Sequence, residues 1–364
     1  MPSSVIDAAP GGAAPARGFH PLQVAAVRRT IRDAVEVTLD APGWDWTPGQ
    51  YLTVRRRIDG VEIRRSYSIC TAPGEPLRIG VKRVEGGAFS GWANTDLRAG
   101  DVLESMAPQG GFWGGPLPGG RLLCFAGGSG ITPILGILRH VLATDPAARI
   151  TLVYANRRAA TIMFRDEIED LKSRHMGRLA VIHVLEQDAQ EIELFTGRVT
   201  PEKCADLFAR WIDVDAVDRT YICGPEPMRA GIVAALTEAG RPPGTIRYER
   251  FAAAQPGRLP QAARPAGAVA ATVPLTVTLD GTTTTLEIEA GQSVLEAALA
   301  AGLDAPWSCR AGVCSTCRCK VVAGEVEMAA NHAIEDDEAA RGYALSCQSY
   351  PVAGPVAVDY DVAH

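Results

Sequence analysis

Four cysteines lie within eleven residues, in the stretch CRAGVCSTCRC at 309–319. Cys309, Cys314 and Cys317 follow a C-x4-C-x2-C spacing, Cys319 falls outside it, and Cys347 is the next cysteine along the chain. Thiolates at such spacing bind soft metals. The sequence predicts a metal centre with Cys309, Cys314, Cys317 and Cys347 as ligands, and a structural role for Cys319 at the start of a strand.

The spacing also indicates which kind of centre this is. Two irons need four thiolates, and C-x4-C-x2-C with one distant cysteine is the plant-type spacing for a 2Fe–2S cluster. Zinc is the alternative, but zinc ribbons usually present two C-x2-C pairs, and this loop has one. The small residues Ala311, Gly312, Ser315 and Thr316 would let backbone N–H groups approach the sulfurs. The pattern favours an iron–sulfur cluster.

A second motif, RRSYS at 64–68, lies at the end of a strand-like run. Its Arg-x-Tyr-Ser pattern resembles the flavin signature of the ferredoxin–NADP reductase superfamily. The resemblance implies that Arg65 pairs with a phosphate, that Tyr67 lies against the flavin, and that Ser68 hydrogen-bonds near its N5 atom. Ser66 lies within the motif and is assigned to the same site. The alternative is that Tyr67 only packs in the barrel.

The stretch EGGAFSGWAN at 85–94 should open a short helix. N–H groups at a helix start can bind a pyrophosphate, which favours FAD over FMN. The predicted flavin contacts in this region are Val81, Lys82, Gly87, Ala88, Phe89 and Ser90. Phe251, at the end of YERF, either covers the other flavin face or packs against the protein.

The stretch FAGGSGITP at 125–133 reads as a strand, a glycine turn and a helix start. Gly127, Gly128 and Gly130 permit a tight turn close to a pyrophosphate. The pattern is not G-x-G-x-x-G. It resembles the G-G-x-G-[IV]-T-P turn of the same superfamily, and the resemblance places Thr132 near a nicotinamide.

A strand ending in Cys-Gly-Pro, within YICGPEPM at 221–228, completes the resemblance. It implies that Cys223 faces the nicotinamide carbon that releases hydride, with Gly224 and Pro225 beside it. Cys223 alone would more simply be a core cysteine. The predicted catalytic residues are Ser68, Thr132 and Cys223.

Two arginines follow the second strand of this region, in YANRR. The resemblance places Arg157 and Arg158 at the adenosine ribose, where no acidic residue is present to bind a free 2′-hydroxyl. Two guanidiniums suit a 2′-phosphate, so we expect NADPH rather than NADH. The alternative is that they are plain surface arginines.

The elements that carry these motifs divide the chain into three folded segments, so the fold class is a multidomain combination of α+β and α/β. Short alternating runs predict an antiparallel β-barrel flavin domain at 18–115. Alternating strands and helices predict a parallel α/β nucleotide domain at 116–251. The resemblance implies a β-grasp ferredoxin domain at 273–364. A flexible tail at 1–17 and an Ala/Pro/Gly-rich linker at 252–272 flank these segments.

Composition narrows the possible partners and the compartment. No run of about 18 apolar residues occurs, so no membrane span is expected. No basic run suggests nucleic acid. The chain carries a net charge of −6, and its part from Pro274 onward holds 13 acidic and 4 basic residues. Nine cysteines without a secretion signal favour metal or redox use in the cytoplasm.

Together the motifs predict a reductase that passes electrons from NADPH to FAD, to 2Fe–2S, and to a partner protein. The chain resembles the family of reductase components of bacterial phenylacetyl-CoA epoxidases, in stretches such as YANRRAATIMF and ARGYALSCQSYP. The resemblance implies a di-iron oxygenase as partner. The alternatives are a reductase for a 3-ketosteroid 9α-hydroxylase or a Rieske ring hydroxylase, and a non-catalytic carrier or metal-binding scaffold.

Overall fold

The computed structural model describes residues 18–251 and 272–362. These residues form three sheets, of six, five and five strands. The predicted tail at 1–17 and all but the last residue of the predicted linker at 252–272 lie outside the described residues. No helix in the described ranges combines the length and the apolar character needed to cross a bilayer.

The first sheet is an antiparallel barrel. Its elements are β1 (His20–Ile31), β2 (Ala34–Asp40), β3 (Tyr51–Ile58), β4 (Val61–Ser68), β5 (Leu77–Lys82), α1 (Ala88–Thr95) and β6 (Val102–Ser105). The strand order is β4-β3-β6-β1-β2-β5. A bridge between Ile69 and Ile79 joins the two end strands and closes the barrel. The predicted flavin-domain fold is confirmed.

The second sheet is parallel and carries helices. Its elements are β7 (Arg121–Gly127), α2 (Ile131–Thr144), β8 (Arg149–Asn156), α3 (Arg165–Arg174), β9 (Leu179–Leu185), α4 (Pro201–Arg210), β10 (Arg219–Cys223), α5 (Glu226–Glu238) and β11 (Ile246–Glu249). The order is β11-β10-β7-β8-β9. The chain adds β8 and β9 on one side of β7 and then returns to add β10 and β11 on its other side, so the order of strands switches between β7 and β10. Ligands bind at such a switch point, beyond the carboxyl ends of the strands. The glycine turn and the Cys-Gly-Pro segment follow these two strands.

The third sheet is mixed and belongs to the ferredoxin-like domain. Its elements are β12 (Val273–Leu279), β13 (Thr282–Ile288), α6 (Val294–Ala300), β14 (Arg318–Met328), α7 (Asp336–Ala340), β15 (Tyr343–Leu345) and β16 (Ser349–Asp359). The order is β13-β12-β16-β14-β15, with β12 parallel to β16. Ser293 and Glu296 form a capping box at the start of α6. The cysteine loop lies between α6 and β14.

Asp-Gly pairs form the tight hairpins of two domains. Asp59 and Gly60 connect β3 to β4, and Asp280 and Gly281 connect β12 to β13, all four with positive φ. Two-residue loops with positive φ at both positions match the twist of antiparallel strands. The first of these turns sets the register between β3 and β4, and β4 is the strand that carries the flavin motif.

Candidate functional site

The flavin motif occupies the end of β4, paired with β3. Tyr51 pairs with Ser68 and Leu52 with Tyr67 across the two strands. The Tyr67 ring lies 5.5 Å from the Phe89 ring, tilted by 33°, and burial raises the pKa of Tyr67. The phenol therefore stays neutral and presents an uncharged aromatic face, which suits stacking against a flavin.

The turn before α1 is tightly held. The Val84 N–H donates to Ser90 Oγ at 3.1 Å, and an added Cβ at Gly87 would lie 2.5 Å from the same oxygen. A side chain at Gly87 would therefore displace the Ser90 hydroxyl from this contact. Phe89 and Val81 place their side chains in the barrel core, so their contribution to a cofactor would come from the backbone. The first N–H groups of a helix are the donors that suit a pyrophosphate.

The glycine turn after β7 packs directly on the segment after β10. An added Cβ at Gly130 would lie 2.1 Å from the Cys223 carbonyl oxygen, and one at Gly127 would lie 2.7 Å from Pro225 Cδ. Gly128 has a φ of +54°, in the left-handed region. The structure thus brings the two sequence motifs of the nucleotide domain together, 93 residues apart between Gly130 and Cys223. The backbone of this glycine turn can therefore approach a phosphate closely.

Thr132 and Lys82 connect this turn to the barrel. Thr132 is buried, donates from Oγ1 to Ser129 O at 3.0 Å, and lies so near β5 that a Cβ on Gly80 would approach its Cγ2 to 2.7 Å. Lys82 Nζ lies 3.8 Å from the position of a Cβ on Gly128. A cation at this distance can attract an anionic phosphate to the turn.

A half-buried carboxyl that no sequence motif indicated, Glu249, lies between two of the predicted catalytic residues. Ser68 Oγ lies 3.4 Å from Glu249 Oε2 and can donate to it. Burial raises the pKa of Glu249 to about 8, and burial followed by the nearby Glu249 raises the pKa of Cys223. At neutral pH both groups hold their protons. Glu249 stands in the YERF stretch, two residues before the predicted flavin contact Phe251.

The arginine pair and Phe251 lie at the surface. Arg157 and Arg158 are exposed, and Arg158 Nε donates to Gln187 Oε1 at 2.8 Å. That contact orients the guanidinium just beyond the carboxyl end of β8. Phe251 keeps 42% of its surface exposed, so its ring is accessible to a ligand or to solvent.

The four predicted cluster cysteines form two thiol pairs. A hydrogen bond between the thiols lowers the pKa of Cys314 and raises that of Cys309. In the same way, the bond between Cys317 and Cys347 lowers the pKa of Cys347 and raises that of Cys317. Two adjacent pairs fit a two-iron cluster, because each iron takes two thiolates. The described residues hold no tight group of three His, Cys, Asp or Glu side chains for a single ion.

Backbone and side-chain donors surround these sulfurs. The Ala311 N–H donates to Cys309 Sγ at 3.3 Å, and the Cys309 N–H donates to Cys314 Sγ at 3.4 Å. Gln348 Nε2 donates to Cys347 Sγ at 3.7 Å. Such donors stabilise thiolates and tune a cluster. Cys319 is fully buried in the ferredoxin-like core.

Family models match three consecutive stretches of the chain. Residues 32–113 match an oxidoreductase FAD-binding domain, residues 125–234 an oxidoreductase NAD-binding domain, and residues 277–352 a 2Fe-2S iron-sulfur cluster binding domain. The fold and the site thus define a flavin- and iron–sulfur-containing oxidoreductase that uses a pyridine nucleotide.

Curated relatives give the family. One subunit of the 1,2-phenylacetyl-CoA epoxidase from Escherichia coli (strain K12) is 40% identical over 353 residues, covering 94% of this chain and 98% of the relative. The ferredoxin reductase component of 3-ketosteroid-9-alpha-monooxygenase from Mycobacterium tuberculosis (strain CDC 1551 / Oshkosh) is 33% identical over 319 residues, covering 87% and 86%. The chain belongs to the family of oxygenase reductase components that includes this epoxidase subunit, which confirms the predicted resemblance.

Solved structures agree with the domain architecture. Phthalate dioxygenase reductase, described as a modular structure for electron transfer from pyridine nucleotides to [2Fe-2S], matches with a TM-score of 0.56 and 25% identity, covering 94% of this chain and 98% of that one. An intact type IV self-sufficient cytochrome P450 monooxygenase matches with a TM-score of 0.70 and 24% identity over 93% of this chain. This chain spans 41% of that P450 chain, and the likeness shows the fold alone.

Proposed function

We propose that this chain is the reductase component of a phenylacetyl-CoA epoxidase. It takes electrons from NADPH and passes them through FAD and a 2Fe–2S cluster to a di-iron oxygenase partner. The observation that carries the proposal is the 40% identity to the epoxidase subunit from Escherichia coli, over 94% of this chain and through all three domains. The di-iron nature of the partner comes from the family resemblance alone.

The residues of the nucleotide site would bind and orient the donor. When all three groups are bound, the nicotinamide would supply two electrons at once, the flavin would accept them, and the cluster would release them one at a time. The turn at Gly127, Gly128 and Gly130 presents backbone N–H groups to the nucleotide phosphates. Thr132 and Cys223 are both buried, so they would exclude water from the place where nicotinamide and flavin meet.

Ser68 and Glu249 would hold a proton beside the flavin. The Glu249 carboxyl stays protonated at neutral pH, and Ser68 Oγ is its hydrogen-bond partner. A neutral hydroxyl and carboxyl can move a proton without placing a charge in a buried site. Arg65 and the start of α1, from Gly87 to Ser90, would bind the FAD pyrophosphate.

The thiols of the ferredoxin-like domain would bind the cluster as two pairs. Cys309 and Cys314 would bind one iron, and Cys317 and Cys347 the other, since the largest influence on the pKa of each thiol is the other member of its pair. Cys319 is left out of the proposed ligand set because it lies outside the C-x4-C-x2-C spacing, at the start of strand β14, where it pairs with Ala344.

NADPH is proposed as donor over NADH because of Arg157 and Arg158. Both guanidiniums are exposed beyond the carboxyl end of β8, where the adenosine ribose of a nucleotide in this fold would lie. Guanidiniums bind phosphate through charge-assisted hydrogen bonds. A cytoplasmic location is part of the proposal: all nine cysteines lie in the described residues as free thiols.

A second candidate is the reductase of a 3-ketosteroid monooxygenase, favoured by the 33% identity to that component. Reconstitution separates the two. The purified holoprotein is mixed with a phenylacetyl-CoA epoxidase oxygenase or with a ketosteroid oxygenase, and NADPH-dependent product is measured in each. We expect product in the mixture with the epoxidase oxygenase and none in the mixture with the ketosteroid oxygenase. Product with the ketosteroid oxygenase alone would transfer the assignment, and a protein without flavin or iron would refute both.

A further inference from the structure

The ferredoxin-like domain contacts one particular face of the barrel. In β3, Leu52 and Val54 point into the barrel core. Alternate residues of a strand point to opposite faces, so Tyr51 and Thr53 lie on the outside. They are nevertheless only 5% and 0% exposed. Something covers this outer face.

The covering element is the cysteine loop. Tyr51 Oη donates to Cys314 O and lies 3.2 Å from Ser315 Oγ and 3.3 Å from Thr316 Oγ1. Thr53 Oγ1 lies 3.2 Å from Thr316 Oγ1. Buried hydroxyls need such partners. These come from the other domain, and Thr53 Oγ1 also lies 3.3 Å from Ser66 Oγ of the barrel.

The neighbouring strand β4 extends the contact with a charged residue. Arg64 is 4% exposed, and its Nη2 lies 3.1 Å from Asp304 Oδ1 of the ferredoxin-like domain. Its guanidinium also lies 4.6 Å from the centre of the Trp307 ring. Ser66 Oγ lies 2.9 Å from Ser308 Oγ. Arginine and tryptophan are enriched among the few residues that contribute most of the binding energy of an interface.

We define the domain seam as these two sets of residues. It comprises Tyr51, Thr53, Arg64 and Ser66 on the barrel, and Asp304, Trp307, Ser308, Cys314, Ser315 and Thr316 on the ferredoxin-like domain. Ser66 belongs to the flavin motif, and Ser308 precedes the first cluster cysteine. Ser66 and Ser68 lie two residues apart on β4, about 7 Å along the strand.

We propose that the domain seam positions the cysteine loop for electron transfer from the flavin to the cluster, with Arg64 and Tyr51 as its main positioning residues. One electron crosses at a time, so a pair delivered by one nucleotide needs two transfers onto a cluster that has been emptied in between. The seam is polar, and Asp304 keeps 74% of its side chain exposed. Such an interface can form and separate repeatedly.

This inference rests on the proposed flavin and cluster sites, and its test uses the loaded full chain. Asp304→Lys reverses a charge against Arg64 at an exposed position, so the domain should still fold. Glu287→Lys is the matched control, since Glu287 is exposed on the edge strand β13 of the same domain. Asp304→Glu is the conservative variant. Tyr51→Phe removes the hydroxyl and keeps the ring.

Three measurements are made on each variant. NADPH-dependent ferricyanide reduction reports the flavin and nucleotide sites. Stopped-flow absorbance and electron paramagnetic resonance report cluster reduction. Hydrogen exchange of the amides at 51–55 and 311–318, recorded without NADPH, reports the seam itself. Iron content and the resting spectrum show that the cluster is intact.

In Asp304→Lys we expect cluster reduction to slow about tenfold and seam amides to exchange faster, because like charges juxtaposed at an interface are costly. Ferricyanide reduction should not change, and Asp304→Glu and Glu287→Lys should resemble the wild type. Tyr51→Phe should shift both seam readouts in the same direction. Unchanged cluster reduction and unchanged exchange in Asp304→Lys would overturn the inference. A wild-type protein that cannot reduce ferricyanide would refute the proposed function instead, and hydrogen exchange would still decide whether the seam forms.

Discussion

Replacing Gly130 by alanine tests whether the contact between the glycine turn and the Cys-Gly-Pro segment forms the nucleotide site. An added Cβ would lie 2.1 Å from Cys223 O, 2.5 Å from Cys223 C and 3.0 Å from Gly224 N. Carbon atoms of side chains essentially never approach closer than 3.0 Å, so the turn and strand β10 must separate by at least 0.9 Å. All three atoms belong to the backbone, so no side chain can rotate away to absorb the shift.

The expected cost follows from that displacement. Overpacking of this kind destabilises a domain by about 1–3 kcal/mol, which a folded α/β domain can tolerate. A displacement of about 1 Å between a bound reactant and its acceptor costs about 100-fold in rate. We therefore expect Gly130→Ala to stay folded and to bind flavin, with kcat/KM for NADPH reduced by about two orders of magnitude.

The assay is NADPH-dependent ferricyanide reduction by the holoprotein, with flavin content and circular dichroism recorded in parallel. Gly244→Ala is the control, because an added Cβ at Gly244 meets no atom within 4 Å. A Gly130→Ala protein with normal flavin content and a kcat/KM within about twofold of the wild type would refute the reasoning. It would mean that the turn and Cys223 do not jointly bind the nucleotide.

Three further predictions concern the nucleotide, the cluster and pH. Arg157→Ala with Arg158→Ala should raise KM for NADPH about tenfold or more and leave KM for NADH unchanged in steady-state assays; equal effects on both would contradict a 2′-phosphate site. Cys347→Ser should lose iron by metal analysis, while Cys319→Ala should retain it, and the reverse would exchange their roles. Burial raises the pKa of Glu249 from 4.5 to about 8. The protonated carboxyl therefore makes its full contribution to the free energy of unfolding below pH 4.5, and this contribution is lost as the pH rises to about 8. In Glu249→Gln, the urea concentration at the unfolding midpoint should therefore fall less steeply with pH across this range than in the wild type. An equal dependence on pH in the two proteins would contradict the raised pKa of Glu249.

Local patterns predicted the elements and much of the site. The alternation of strands and helices predicted the parallel sheet, and Asp-Gly pairs are a comparable signal for the two tight turns, because both depend on residues close in sequence. The glycine turn and the cysteine spacing are equally local. Few other sequences provide the backbone conformations of the glycine turn or the ligand geometry of the cysteine loop.

Other site residues had no local signal because their partners are distant in sequence. Glu249 is 181 residues from Ser68, Arg64 is 240 residues from Asp304, and Tyr51 Oη meets Ser315 across 264 residues. A glutamate after a strand, or an arginine beside another arginine, has the pattern of a solvated surface residue. Only the packing of the three domains brings these side chains to their partners.

The alternation of β4 explains how one strand can serve all three domains. Arg64, Ser66 and Ser68 share its outer face, where the first two contact the ferredoxin-like domain and the third meets Glu249 of the α/β domain. A slip of one residue in register would turn this face inward and present Arg65 and Tyr67 instead. The eight paired positions between β3 and β4 and the tight Asp-Gly turn prevent such a slip. The register of a single hairpin thus determines both where the nucleotide domain meets the flavin motif and where the cysteine loop docks.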